Sequence, residues 1–316
     1  MVHWQRESRW EQAPGVGRDV RPNLRVGLAA AICALVCFAG PAWAQPREDG
    51  APAESMGAGD AVRASVWGPA ALFHNPAGLM RVPVIVVQGG YSYLDGQEGH
   101  NATAAIVDSR TNEYAALGVA YSFISSAPDG RDRDGNQVRT ALATGYRSGD
   151  FALYAGVGLR WLELTLGEED PDGGESDDVD TWTLDTGLLF DFANRIRFAV
   201  VGQNLIDTKT EQASRLLGFG FSFVFETLDV GANLDLDISG RDGGSRVMRW
   251  GFGADWGLAD QIHLRTGLTR DELIDQERVS FGLGWSTNEI AIDLAYVTAF
   301  VEPSNMMFGV SLRWVP

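Results

Sequence analysis

Past residue 44 the chain holds three histidines, His74, His100 and His263, and no cysteine, because Cys33 and Cys37 both precede that point. Disulfides, thiolate metal sites and cysteine nucleophiles are therefore excluded from the rest. No His or Cys group has metal-ligand spacing. Ser–His catalysis needs both side chains on adjacent strands at hydrogen-bond reach. By alternation His263 faces the lumen with Ser280 on the next strand, and such coincidences are cheap. The acidic stretches 129–136 and 170–173 lack the EF-hand spacing and its closing Glu, and read as solvated loops. The chain is expected to be no enzyme and to need no cofactor. What it has in quantity is charge at alternate positions: Arg160, Asp185, Arg197, Asp235, Arg249, Asp255, Arg265, Arg278 and Asp293, with Arg139, Arg147, Asp191, Arg195, Asp229, Asp237 and Arg313 in the same phase. Such a set makes either a polar path or a structural Arg–Asp network. The network is favoured, since buried charges need partners.

The elements that carry these charges alternate with period two. In 228–238, Leu228, Val230, Ala232, Leu234, Leu236 and Ile238 share one face, and Asp229, Gly231, Asn233, Asp235 and Asp237 share the other. The same pattern recurs from about Val82 to the C-terminus, bulky on one face and small or polar on the other. Bulky outside and small inside suits a closed barrel in lipid, and aromatics at strand ends suit interfacial girdles. No later stretch approaches the apolar length of a membrane helix. The expected fold is all-β: a transmembrane antiparallel β-barrel of about fourteen strands, at 82–94, 101–109, 113–124, 137–147, 151–166, 179–192, 195–205, 212–225, 228–238, 245–256, 261–269, 277–286, 289–298 and 305–315. Tight turns such as Ser148-Gly149-Asp150 and Ala193-Asn194 alternate with longer loops rich in Gly and Asp. Short periplasmic turns and long outer loops are the arrangement of outer-membrane barrels.

The N-terminus agrees with that compartment. Arg21 and Arg25 precede an apolar stretch of signal-peptide length, and Ala42-Trp43-Ala44 supplies small residues at the cleavage positions. Residues 1–44 are read as leader and signal peptide, 45–81 as an N-terminal hatch or plug, and 82–316 as the barrel. The expected location is the outer membrane of a Gram-negative bacterium, in contact with its lipid and lipopolysaccharide. Losing five Arg and three acidic residues with the leader takes the formal charge from −17 to about −19. Such acidity argues against nucleic-acid partners.

Within 45–81 stand Met56-Gly57-Ala58-Gly59-Asp60-Ala61 and Ala70-Ala71-Leu72-Phe73-His74-Asn75-Pro76-Ala77-Gly78-Leu79. Asn75-Pro76 initiates a turn, and Gly78 would permit positive φ. A small-residue segment, an Asn-Pro-Ala-Gly turn and a fourteen-stranded barrel resemble the FadL/TodX outer-membrane transporter superfamily, which includes PorV-like proteins of secretion systems. Phe198-Ala199-Val200-Val201-Gly202-Gln203-Asn204-Leu205 and His263-Leu264-Arg265-Thr266-Gly267-Leu268 extend the resemblance. It implies a hatch in the lumen with Asn75, Pro76, Ala77 and Gly78 at its turn. It also implies passive uptake of small hydrophobic molecules, which enter from outside and leave sideways or past the hatch. The alternative is a non-transporting partner of a secretion or surface-assembly machine. Leu72, Phe73, Leu79 and Met80 flank the turn and are expected either to line an apolar ligand pocket or to pack the hatch on the wall. The outer loops are shorter than the extended loops with which the family's fatty-acid transporters capture ligand, and they are acidic, which favours neutral hydrophobic ligands over fatty-acid carboxylates. The Trp314-Val315-Pro316 ending departs from the usual aromatic-terminated assembly signal.

Overall fold

A computed structural model describes residues 50–95, 98–127, 132–167, 178–239, 248–272, 275–300 and 306–316. The expected leader, the cleavage site near Ala44, residues 45–49 and the acidic stretch 170–173 lie outside these.

Fourteen strands follow in chain order: β1 Ile85–Leu94, β2 Gly99–Asp108, β3 Ala116–Ser126, β4 Arg133–Ser148, β5 Phe151–Leu166, β6 Val179–Phe192, β7 Ile196–Gln203, β8 Leu216–Val224, β9 Leu228–Asp237, β10 Met248–Ala259, β11 Ile262–Asp271, β12 Gln276–Ser286, β13 Ile290–Ala299 and β14 Met306–Trp314. Each pairs antiparallel with the next, and β14 returns to β1, so the sheet closes into a barrel. Closure removes every sheet edge, as a structure spanning lipid requires. The alternating residues divide as their chemistry demands. Outward stand Trp182, Phe252, Phe281 and Leu312, each about half exposed, and inward stand Ala, Gly and buried polar groups. Among the described residues no helix is long and apolar enough to cross a membrane.

The strand spans agree with the alternation to within a few residues, with two informative differences. β4 begins earlier than expected, at Arg133, because it pairs with β5 out to Leu166. β8 begins later, at Leu216, because 211–213 form a 3-10 turn in which the Gln212 N–H donates to the Thr210 hydroxyl. At the end with the short turns, Ala193 and Asn194 both have φ of 54°, the geometry of a hairpin turn whose twist matches its strands.

Candidate functional site

Residues 50–81 lie inside the barrel. Glycines on β14, β12, β11, β10, β9 and β8 face Met56, Gly57, Gly59, Ala58, Ala61 and Arg63, and glycines on β6, β5 and β3 face Asn75, Pro76 and Leu72. A segment that touches strands all round a closed sheet is in its lumen. The approach is too close for side chains on the wall. A Cβ at Gly253 would sit 2.2 Å from the Ala58 carbonyl oxygen, and one at Gly267 would sit 2.4 Å from the Gly59 nitrogen.

The segment carries two short helices, α1 (Ala53–Gly57) and α2 (Ala71–His74), and a 3-10 turn at Pro76–Met80. Asn75 is extended, as a residue before proline prefers, and Pro76 occupies the first position of the 3-10 turn. The Asn75 carboxamide oxygen accepts from the Ala77 N–H at 3.1 Å, and its Nδ2 donates to the Arg63 carbonyl at 3.0 Å. The turn rests on Gly156 and Gly187, which face each other across β5 and β6. Helix α2 ends buried, so its last carbonyls need donors from elsewhere. Arg139 Nη1 donates to Leu72 O at 3.4 Å, Gln203 Nε2 to Phe73 O at 2.8 Å and Arg63 Nη1 to His74 O at 2.7 Å. Cationic donors suit the negative end of a helical turn. The Arg139 guanidinium also lies over the Phe73 ring, 5.0 Å from its centroid.

Ion pairs tie the segment to the wall. Arg63, buried to 1% exposure, makes a bidentate pair with Asp235 at 2.8 and 2.9 Å and donates to Gln203 Oε1 at 2.8 Å. Asp60 accepts from Arg249 at 3.2 Å. Glu54 lies 3.8 Å from Arg313 and accepts from Gln88 and Ser311. Burial pushes the Glu54 carboxyl up, but Arg313, a backbone hydrogen bond, Arg265 and Ser311 outweigh it and hold its pKa below the usual value.

Below this segment, at the short-turn end, is a cavity of about 440 Å³. Ala61, Val62, Val66, Trp67 and Ala70 form its segment-facing side, and Asp255, His263, Arg265, Asp293 and Arg313 form the wall side. The wall charges are chained: Asp255 to Arg265 at 2.8 Å, Arg265 to Asp293 at 2.6 Å and Asp293 to Arg313 at 3.0 Å. The Arg313 guanidinium stacks over Trp67, 4.9 Å from the ring centroid. At the opposite end, Ile124, Leu162, Leu164 and Val179 form an apolar cluster with Ala213.

No protein family profile and no curated protein matches the chain. Solved structures do. A FadL homologue of Pseudomonas aeruginosa superposes with a TM-score of 0.61 at 14% identity, covering 87% of this chain and 99% of that one. The fold is that of the FadL/TodX barrels. The toluene transporter TbuX of Ralstonia pickettii gives 0.54 at 14% identity over 85% and 97% of the two chains. A mutant of TodX, a monoaromatic hydrocarbon channel, gives 0.52 at 14% identity over 84% and 98%.

Within this FadL/TodX fold most of the alternating charges meet on the lumen face, and most are paired. Arg139 meets Asp185 at 3.4 Å, and Arg197 meets Asp191 at 3.0 Å and Asp229 at 3.1 Å. Arg160 donates to Gln137 and Asn204, and Arg278 donates to Gln276. Arg195 is a correction: it lies in the exposed turn before β7, because the two left-handed residues end the hairpin there. Gly78 is another. It does not adopt positive φ; a Cβ there would sit 2.8 Å from the Val66 carbonyl oxygen, so close packing demands the glycine. His263 and Ser280 are not brought together. His263 pairs with Asp255 at 2.9 Å, and Ser280 lies opposite Gly267 and donates to the Gly57 carbonyl. Leu72, Phe73, Leu79 and Met80 are packed with Val66, Ala105, Val107 and Ala116, and none of the four lines the 440 Å³ cavity. Among the described residues no group of three His, Cys, Asp or Glu could hold a metal. The anchoring roles of Arg63, Asp60, Glu54 and Gln203 escaped the sequence reading. The available signal was Arg63, the sole Arg or Lys between Arg47 and Arg81.

Proposed function

We propose that the protein is an outer-membrane channel for passive uptake of small hydrophobic molecules, held shut in this conformation by the hatch of residues 50–81. The observation that carries this reading is a lumen filled by a separate segment, fastened through ion pairs and glycine contacts rather than through strand pairing. A wall built to receive a removable segment suits a conduit better than a static scaffold. The toluene and monoaromatic hydrocarbon transporters that share the fold support the ligand class.

An apolar solute gains about 25 cal/mol for each Å² of apolar surface taken from water. A uniformly polar lumen would forfeit that gain. Here apolar surface is offered on the segment-facing side of the inner cavity, by Val62, Val66 and Trp67. The test is uptake of labelled toluene by Gram-negative cells with and without the protein. Faster uptake with the protein supports the channel. Equal rates remove it and leave the assembly-partner alternative.

A further inference from the structure

The cavity under the hatch opens beside the turn Ser286, Thr287 and Asn288, on the short-turn side that faces the periplasm. Among the described residues three guanidinium groups line it, those of Arg81, Arg265 and Arg313. Two of them are committed to carboxylates. Arg265 bridges Asp255 and Asp293, and Arg313 bridges Asp293 and Glu54 while it covers Trp67. Arg81, half-buried at the end of the hatch, differs. Its Nη1 donates to the Val66 carbonyl at 3.2 Å, and no described carboxylate comes within ion-pair distance of it. Asp229, which lines the same cavity, is taken on both oxygens: Arg197 Nη1 donates to one at 3.1 Å and the Ser222 hydroxyl to the other at 2.6 Å. A guanidinium has five N–H donors, so Arg81 keeps most of its own for another acceptor.

We infer that this cavity is a binding site for a small monocarboxylate with an apolar body, entering from the periplasm, and that the bound molecule keeps the hatch shut. Three features set the chemistry. A planar guanidinium takes a carboxylate through two parallel hydrogen bonds, which asks for one uncommitted Arg and not a cluster. Val66, hydrogen-bonded to Arg81, and Val62, Trp67 and Val84 offer apolar contact to the rest of the molecule. Glu54, Asp229, Asp255 and Asp293 outnumber the three lining Arg, so a second negative charge would be repelled, and a phosphate dianion fits less well than a single carboxylate. The volume, about 440 Å³, is within the usual range of small-molecule sites, roughly 300–1,000 Å³. The effect on the hatch follows from where the contacts lie. Arg81, Val62, Val66 and Trp67 belong to the hatch, whereas Ala254 and Ala291 belong to the wall. A molecule seated between them binds the docked hatch and loses contacts when the hatch leaves. At a hundred times its Kd it favours the docked state about a hundredfold.

The test is isothermal titration calorimetry of the protein in lipid nanodiscs, with empty nanodiscs subtracted. The probe is 4-ethylbenzoate, and 4-ethylbenzamide is its uncharged match. Arg81→Met removes the charge and keeps an apolar stem, Arg81→Lys keeps a cation, and Ser65→Trp fills the cavity with Arg81 in place. Variants are compared only where the band shifts on boiling, as a folded barrel's does. Wild type should bind the benzoate about tenfold or more tightly than the amide, the weight of a hydrogen bond to a charged group. Arg81→Met should lose that margin for the benzoate and leave the amide unchanged, Arg81→Lys should recover part of it, and Ser65→Trp should bind neither probe. Hydrogen exchange across 62–81 should slow when the benzoate is added to wild type and not when it is added to Arg81→Met. No binding of the benzoate by wild type, equal affinity for the two probes, or equal benzoate binding by wild type and folded Arg81→Met overturns the site. Binding without slower exchange across 62–81 overturns its hold on the hatch. Binding is read on purified protein, so the channel reading, tested by toluene uptake, stands or falls separately.

Discussion

Arg63→Ala should undock the hatch while leaving the barrel intact. The guanidinium is buried to 1% exposure and serves three partners at once: Asp235, Gln203 and the carbonyl of His74. Truncation leaves the Asp235 carboxylate buried without its cation, a change that costs about 3–5 kcal/mol. The His74 carbonyl also loses its donor, at about 1–3 kcal/mol, though the two overlap because the same opening relieves both. Taking ~4 kcal/mol for the whole, and a tenfold change for each 1.4 kcal/mol, the opening equilibrium of the hatch should shift about a thousandfold. Hydrogen exchange of the protein in lipid nanodiscs reads this directly. Peptides across 50–81 should exchange far faster in the variant, with strand peptides unchanged. Arg63→Met combined with Asp235→Leu removes both charges and should restore much of the protection, since no ion is then left stranded. Unchanged exchange in a folded Arg63→Ala, or a double variant as open as the single one, would refute the reasoning.

Gly187→Val should loosen the Asn-Pro turn. A Cβ at this position falls 2.0 Å from Asn75 Oδ1, and overpacking of this kind costs about 1–3 kcal/mol, so exchange at 77–80 should rise, whereas Gly89→Ala, with nothing within 4 Å of the new Cβ, should be silent. Acidification should weaken the α1 anchor. The Glu54 pKa is depressed in the folded state, so its contribution is present above the unfolded value of about 4.3 and is lost as pH falls through the lower folded one. Exchange of 53–57 should accordingly rise as pH falls below about 4.3, and Glu54→Gln should remove the pH dependence.

The barrel was legible because its signal is local and repeats. A period of two, written in Leu228 through Ile238 and again in thirteen other strands, survives errors at any one boundary. The turn at Asn75 and Pro76 was legible for a similar reason: both residues act on their immediate neighbours. The fastening was not legible. Arg63 and Asp235 are 172 residues apart, and nothing near either one announces the other. The alternation placed Asp235 on the lumen face but could not say that its partner comes from the hatch and not from the wall. Gly78 shows the same limit at short range, since its requirement comes from the Val66 carbonyl packed against it and not from its own φ. Leu72, Phe73 and Leu79 are apolar in a conduit, which fits a ligand pocket and packing equally. Their contacts with Val107, Ala116 and Gly118 are what the structure adds.

The central claim, that residues 50–81 close the lumen, is tested most directly by single-channel conductance in planar bilayers. The intact barrel is compared with a form in which 50–81 is deleted and the strands are unaltered. With the hatch gone, glycine-lined wall such as Gly156, Gly187, Gly253 and Gly267 faces an open lumen. The account predicts a large, steady conductance in the deleted form and only small or brief openings in the intact protein. Equal conductance from two folded barrels would contradict it.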